Sequence, residues 1–160
     1  GSLKDREDYK NSPDRKECDK GDTTDPNSWR ISSNNGVEYV VVWLQPTSRN
    51  QYFKMPEKPT WKEEVVMDQP YCAFEPHVVT LFPGYYDFQN RKQVSAQKLR
   101  VLNSAPMKHN TKWLGSPAKN PEGSKTLDAN DKKGFEIDLQ ADTEPISISC
   151  DIHKWMKAYV

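Results

Sequence analysis

The end of the chain places three different metal-binding side chains at short spacing behind a predicted strand. The β-branched run at residues 146–149 predicts that strand, and Cys150, His153 and Met156 follow it. A strand end fixes the direction of the Cys150 side chain, and the following loop can bring His153 to the same ion. Soft sulfur ligands combined with imidazole favour copper, and trigonal copper sites of electron-transfer proteins use one Cys, two His and a weakly held Met. The C-terminal motif therefore predicts three of these four ligands.

A site of this type needs a second imidazole ligand, and the chain contains few histidines. Its three histidines are His77, His109 and His153. His109 lies in a polar loop, residues 103–110, directly after the apolar run 99–102, so a predicted strand leads to it. We expect His109 to bind the metal through one ring nitrogen while a carbonyl or a side chain holds the other. In the alternative interpretation, His109 is an ordinary loop histidine that is hydrogen-bonded to Asn103 or Asn110.

This arrangement resembles the cupredoxins, in which a His on a loop after a strand joins a Cys-loop-His-loop-Met cluster near the C-terminus. Residues 74–84 look like the strand and turn that open a plastocyanin-like domain, and residues 99–110 look like the strand and Asn-rich loop that deliver the first His. The likeness covers roughly residues 37–160 and is strongest to bacterial plastocyanin-like proteins that end in Cys-Asn/Asp-Ile-His-Pro-x-Met. It implies an all-β, Greek-key β-sandwich with long loops and one copper ion that alternates between Cu(I) and Cu(II).

The spacing of the last two predicted ligands leaves the fourth ligand open. His153 and Met156 are closer in sequence than the His and Met of plastocyanin. A His-x-x-Met ending also occurs in the dinuclear copper domain of cytochrome oxidase, but that domain has two Cys in its loop, so the single Cys150 favours a mononuclear site. Either Met156 is the weak axial ligand, or it packs in the core beside Trp155. In the second case His77 is the fourth ligand, an outer partner of a ligand, or a structural histidine.

Trp155 lies between two predicted ligands and has two interpretations. An exposed Trp155 beside the metal would form an apolar docking patch for a redox partner protein, with Lys154 and Lys157 as a basic rim. Contacts of small area are normal for such encounters. A buried Trp155 would instead shield the site. The sequence does not identify the partner.

The remaining two cysteines have three possible roles. If Cys150 binds copper as a thiolate, Cys18 and Cys72 are left as a pair, and a disulfide between them would tether the N-terminal segment to the first strands. Such a bond would indicate an oxidising compartment. Alternatively both are free thiols, or Cys72 joins His77 as a metal-binding pair at Cys-x4-His spacing.

The rest of the chain predicts an all-β fold with long loops. Runs of β-branched and aromatic residues without helical periodicity are punctuated by the twelve Pro and seven Gly residues, as in sandwiches and barrels. The predicted strands are residues 37–44, 64–67, 77–82, 98–102, 135–139 and 146–150. Residues 45–62 and 110–133 are predicted to be loops, and residues 85–97 an insertion between two strands.

The N-terminal segment differs in composition from the rest of the chain. Residues 1–29 show no apolar periodicity and are dominated by charged and small polar residues. Hydrophobic residues make up 34% of the chain, which is low for a globular protein and indicates that part of it is not core. We therefore expect a flexible polar arm at residues 1–29 and a single domain at residues 30–160, a size that suits one hydrophobic core.

Several function classes lack support in the sequence. The formal net charge is zero, whereas nucleic-acid binding needs a basic surplus or stripe. No stretch is long and apolar enough for a membrane span, and no secretory leader pattern occurs in these residues. Hydrolase, nucleotide-binding and haem-attachment motifs are missing, so we expect no enzyme activity. Zinc is an alternative metal, but structural zinc usually has four Cys or His ligands at paired spacings.

The sequence therefore predicts a mononuclear copper protein that transfers single electrons outside the cytoplasm. It would be periplasmic, secreted or attached to the cell surface, after a signal peptide has been removed. One alternative is a secreted cupredoxin-like binding or structural module without a redox role, and another is a copper storage or delivery protein. The complete donor set favours copper binding over the module, but it does not separate electron transfer from delivery.

Overall fold

The described part of the protein is mostly β with little helix, which agrees with the predicted all-β class. The computed structural model describes residues 1–43, 47–48, 64–86, 89, 91–94 and 97–160. Within these ranges seven strands form two sheets, and two further strands form a separate hairpin. The helices in the described ranges are one turn long, and none has the length or apolar character of a membrane span.

The bounds of the elements are as follows. The strands are β1 (Glu64–Met67), β2 (Gly84–Tyr86), β3 (Lys92–Val94), β4 (Lys98–Asn103), β5 (His109–Leu114), β6 (Gly123–Leu127), β7 (Asp131–Ile137), β8 (Ser147–Ser149) and β9 (Lys157–Tyr159). The helical elements are a 3-10 helix (Leu3–Asp5), α1 (Glu7–Lys10) and α2 (Arg15–Cys18).

The first sheet has the order β1-β4-β7 and is built around β4. β1 pairs with β4 in parallel, and β7 pairs with β4 antiparallel. Leu99 and Val101 of β4 are fully buried, whereas Arg100 points to the other face and pairs with Glu64 and Glu136. This alternation follows the two-residue period of a strand and explains why the sequence predicts β4 correctly.

The second sheet is antiparallel throughout, in the order β6-β5-β8-β9. The prediction of a loop at residues 110–133 is wrong, because this segment contains most of β5, all of β6 and the start of β7. β6 is an edge strand with three exposed residues, and β5 buries the polar residues His109, Asn110 and Thr111. Neither strand shows the apolar alternation by which strands are recognised.

The two sheets contribute to one hydrophobic core. Buried side chains of β4 and β7 belong to the same cluster as Leu127, Ile148 and Ala158 of the second sheet. The rings of Trp113 on β5 and Phe135 on β7 lie 6.1 Å apart, so the sheets face each other. The predicted ligands His109 and Cys150 lie at one end of the second sheet.

Two predicted strands do not form. Of residues 37–44, Leu44 lies outside the described residues, and residues 37–43 form only an isolated bridge between Val37 and Ile31. Val42 and Trp43 are exposed, so their β-branched and aromatic character reflects neither a buried strand nor a partner strand. In residues 77–82, strand pairing is limited to a bridge between Val78 and Tyr159.

The predicted loop and insertion are described only in part. Most of residues 45–62 lies outside the described residues, and so does part of the predicted insertion at 85–97. The described part of that insertion contributes to the hairpin formed by β2 and β3.

The N-terminal segment, expected to be a flexible arm, is folded against the core in the structure. It contains the 3-10 helix, α1 and α2, and it buries Leu3, Tyr9 and Cys18 in the main cluster. These residues are too widely and irregularly spaced to produce a periodic signal. The predicted disulfide between Cys18 and Cys72 is present and joins α2 to the segment that follows β1.

Candidate metal centre

The second sheet brings the predicted ligands to one place. His109 is the first residue of β5, and Cys150 directly follows β8, which is the antiparallel neighbour of β5. The loop after Cys150 then reverses, with the Met156 N–H donating to the His153 carbonyl at 2.9 Å. The bend between Cys150 and His153 places the imidazole of His153 beside that of His109.

His109, Cys150 and His153 form a compact and dry cluster. Their nearest side-chain nitrogen and sulfur atoms all lie within 4.8 Å of one another. The two Nδ1 atoms are 3.0 Å apart, and the Cys150 Sγ is 4.0 Å from the His109 Nδ1. All three side chains are at most 3% exposed. The structure therefore assembles the three donors that the sequence predicts at this position.

In each ring, the hydrogen bond of the outer nitrogen, Nε2, decides whether the inner nitrogen, Nδ1, carries a proton. The Nε2–H of His109 donates to the Tyr71 carbonyl, and the Nε2–H of His153 donates to the Asp14 carboxylate at 3.0 Å. A carbonyl and a carboxylate can only accept, so both Nε2 atoms carry the hydrogen. In the neutral rings both Nδ1 atoms are then unprotonated, and their lone pairs converge on the space beside Cys150.

Burial keeps the cluster uncharged in the metal-free protein. Burial, with the neighbouring His153 ring, lowers the pKa of His109 to about 4. Burial also lowers the pKa of His153, against the opposing effect of Asp14. Burial raises the pKa of the Cys150 thiol, although backbone N–H groups of the loop partly oppose this shift. At neutral pH the site therefore offers two neutral imidazoles and a thiol that must lose its proton when it binds a metal.

Asn110 holds the Cys150 loop in place. Its Oδ1 accepts from the Cys150 thiol at 3.3 Å and from the Asp151 N–H at 2.7 Å. Its Nδ2 donates to the Asp151 carboxylate at 2.9 Å and to the Ser124 hydroxyl at 3.2 Å. The His153 N–H also donates to the Cys150 sulfur at 3.4 Å, a contact that would favour the thiolate form when a metal binds.

The donor set fits a soft or borderline metal ion. Bonds of about 2.0 Å to nitrogen and about 2.3 Å to sulfur place neighbouring ligand atoms roughly 3–4 Å apart. The two separations from the His109 Nδ1, 3.0 Å to His153 and 4.0 Å to Cys150, are of this size. One thiolate with two imidazoles suits copper and also suits zinc. Both imidazoles already have the outer hydrogen-bond partner that metal-bound histidines usually have.

Met156 lies in the core directly after the turn that carries His153. Its side chain is 1% exposed and belongs to the main hydrophobic cluster. Its assignment as the weak fourth ligand stays a prediction.

His77 is placed away from the cluster, so the structure does not support it as a ligand. Its Nδ1–H donates to the Lys157 carbonyl at 3.2 Å, and its Nε2 accepts from Arg30 at 2.6 Å. The ring also lies edge-on to Tyr39, with 5.1 Å between the centroids. Both ring nitrogens of His77 are thus hydrogen-bonded to groups outside the cluster, which agrees with the interpretation of His77 as a structural histidine. It is also absent from the two groups of potential metal ligands found among the described residues.

Trp155 is buried, so the predicted docking patch at this residue is wrong. The side chain is 3% exposed, and its Nε1–H donates to the Cys72 carbonyl at 3.2 Å. Its ring contacts Tyr9 of α1, at 4.9 Å between centroids, and His153 at 5.2 Å. Trp155 therefore shields the cluster, which is the alternative that the sequence left open.

Three contributors to the site were missed at the level of sequence. The Asp14 carboxylate and the Tyr71 carbonyl hold the rings of His153 and His109, and Asn110 was considered only as a partner of His109. Asp14 is 139 positions from His153, and no local spacing links the two. A backbone carbonyl such as that of Tyr71 has no residue-specific signature. The role of Asn110 could have been predicted from the sequence, because Asn110 directly follows the predicted ligand His109.

Comparison with known proteins identified no relative of this chain. No protein family, curated protein or solved structure matches this chain. The function must therefore be argued from the site itself.

Proposed function

We propose that this protein is a cupredoxin-like, mononuclear copper protein that transfers single electrons outside the cytoplasm. His109, Cys150 and His153 hold the ion, and Met156 is the weak fourth donor. The two facing sheets and the C-terminal ligand loop agree with a Greek-key sandwich of that class.

One observation carries the proposal, namely the convergence of two unprotonated Nδ1 atoms beside a buried thiol. Lone pairs that face each other at 3.0 Å repel unless a cation lies between them. A proton in this position would put a charge in a dry site, and burial lowers the pKa of both rings. A thiophilic metal ion satisfies both nitrogens and the sulfur at once, and the mixture of sulfur and imidazole favours copper.

The protein's own residues prepare the site for such an ion. Tyr71 and Asp14 hold the rings through their outer nitrogens, so the inner nitrogens need little reorientation. Asn110 fixes the Cys150 loop, and the Cys150 thiol gives up its proton to solvent on binding. Trp155 excludes water from one side of His153. Copper in this position would supply reversible one-electron chemistry, and the rigid surroundings would limit the structural change between its two oxidation states.

The disulfide supports a location outside the cytoplasm. Disulfides persist in oxidising compartments and are rare in the cytosol. The Cys18–Cys72 bond ties the N-terminal segment to the core. It also leaves Cys150 as the free cysteine of the chain, available to a metal ion.

A redox partner would contact the ligand loop at Ile152 in place of the buried Trp155. Ile152 lies between Cys150 and His153 and is 50% exposed. Lys154 is also exposed and adds a positive charge beside it. A small apolar contact with a charged rim is typical of transient electron-transfer encounters.

The proposal is tested by loading the purified, disulfide-bonded protein with Cu(II) and recording its visible spectrum. A copper–thiolate bond in a trigonal site produces strong visible absorption, so one equivalent should give an intense colour that disappears and returns on one-electron reduction and reoxidation. Cys150→Ser should abolish the colour, and His109→Gln should abolish or strongly shift it.

His77→Gln is the matched control, because it removes a buried imidazole that lies outside the cluster. It should leave the colour unchanged. A colourless Cu(II) complex, or colour that survives Cys150→Ser, would overturn the copper assignment. Colour without reversible reduction would overturn the electron-transfer role.

A further inference from the structure

A second group of potential metal ligands also includes His153. The sulfur atoms of Cys18 and Cys72 and a ring nitrogen of His153 are all within 4.8 Å of one another. All three residues are at most 3% exposed. His153 therefore belongs to two groups of soft donors, one with Cys150 and His109, the other with the disulfide sulfurs.

In the disulfide form the second group cannot act as a thiolate site, because the two sulfurs are bonded to each other. Reduction changes this. A dithiol reductant gives two electrons and two protons to the bond, becomes a disulfide itself, and leaves two thiols next to the imidazole. Each thiol then releases its proton when it binds a metal ion.

We propose that the reduced chain holds a Cu(I) ion on Cys18, Cys72 and His153. Thiolates select Cu(I) and zinc among the common metal ions. Structural zinc usually takes four protein ligands, whereas this group in the described part of the chain offers three. Conditions that reduce a disulfide also keep copper as Cu(I), so the ion and the site are available together.

Burial and chain connectivity both favour a preorganised site. Cys18 lies at the end of α2 and Cys72 follows β1, and their Cα atoms are 5.0 Å apart, so separating the sulfurs needs side-chain rotation more than backbone movement. Trp155 and Tyr9 pack beside the group and keep it dry. A neutral His153 ring has one nitrogen lone pair, so it can bind an ion in only one of the two groups at a time, and reduction would give the protein an alternative site for Cu(I).

The test uses Cys150→Ser, so that its outcome does not depend on the first site. The protein is prepared in the disulfide form and, separately, after reduction with a phosphine that is then removed without air. Cu(I) is titrated into each sample in competition with bicinchoninate, a coloured Cu(I) chelator. We expect one tightly bound Cu(I) in the reduced sample and none in the disulfide sample, and we expect Cys72→Ser in the same background to abolish the binding.

Two further variants separate a folded site from two loose thiols. In the reduced Cys150→Ser background, His153→Gln should weaken Cu(I) binding at least about tenfold, the loss expected even when only an outer partner of a ligand is removed. His77→Gln should not weaken it. Equal affinity in these two variants would overturn the site, because an unfolded chain would bind through its sulfurs alone. Equal Cu(I) capacity of the reduced and disulfide samples would overturn it as well.

Discussion

In the proposed copper site, the hydrogen bond between Asp14 and His153 should let the N-terminal segment lower the reduction potential of the ion. The Asp14 carboxylate accepts from the Nε2–H of His153 at 3.0 Å, and the His153 ring is 1% exposed. A carboxylate at this nitrogen makes the imidazole a stronger donor. A stronger donor stabilises Cu(II) more than Cu(I), so Asp14 should lower the reduction potential.

The expected change in reduction potential depends on the strength of this hydrogen bond and on the solvent exposure of Asp14. Removing an outer partner of a metal-bound histidine typically costs about 10- to 100-fold in metal affinity. The Asp14 side chain is 35% exposed. Solvent therefore screens the interaction, and we expect the lower end of that range. If Asp14→Ala weakens Cu(II) binding tenfold and leaves Cu(I) binding unchanged, the potential rises by about 60 mV, since a tenfold change in a one-electron couple is about 59 mV.

The assay is a spectroelectrochemical titration of the copper-loaded protein. Glu17→Ala is the control, because it removes the same charge from the neighbouring α2, where Glu17 pairs with Lys20 at 2.6 Å. Asp14→Asn keeps an acceptor without the charge and should give an intermediate potential. An unchanged potential in Asp14→Ala, or an equal rise in Glu17→Ala, would refute the role of this hydrogen bond.

Two further predictions concern the disulfide and the pH dependence of copper uptake. The Cys18–Cys72 bond spans 54 residues, for which the chain-entropy model gives about 4 kcal/mol. Replacing both cysteines with Ala should therefore lower the free energy of unfolding of the metal-free protein by about this amount in urea titration, and a loss below about 1 kcal/mol would contradict it. Because burial raises the pKa of the Cys150 thiol, copper displaces a proton, and Cu(II) affinity should fall about tenfold for each pH unit of acidification near neutrality. The fall should steepen as pH drops towards about 4, where His109 becomes protonated, and competition titrations showing an affinity independent of pH between about 6 and 8 would contradict this mechanism.

The C-terminal motif predicted two members of the candidate metal centre without any knowledge of the tertiary structure. Cys150 and His153 are close in sequence, so a single turn after a strand is enough to bring their side chains to one point. His109 could be added because it also follows a predicted strand, and histidines are rare in the chain. Local spacing is a strong constraint when the ligands are separated by less than one loop.

Strand prediction succeeded where burial on one face produced an apolar alternation, as in β4. Elsewhere it predicted a strand that does not form and missed two strands that do form. Residues 37–43 have β-branched character but no strand partner, whereas β5 and β6 are paired strands that carry polar residues. Strand pairing depends on which other segment of the backbone lies alongside, and the composition of a segment does not indicate its partner.

Only the tertiary structure decided which groups surround the ligands. In the fold, Trp155 packs inward against Tyr9, and His77 is hydrogen-bonded to Arg30 and Lys157. Asp14 accepts a hydrogen bond from the Nε2 of His153. These contacts join residues that are far apart in the chain and depend on how the N-terminal segment packs against the sheets. The sequence therefore determined which residues are candidate donors, because their spacing is local, and the fold determined their tautomers, burial and accessibility, because those depend on packing between distant segments.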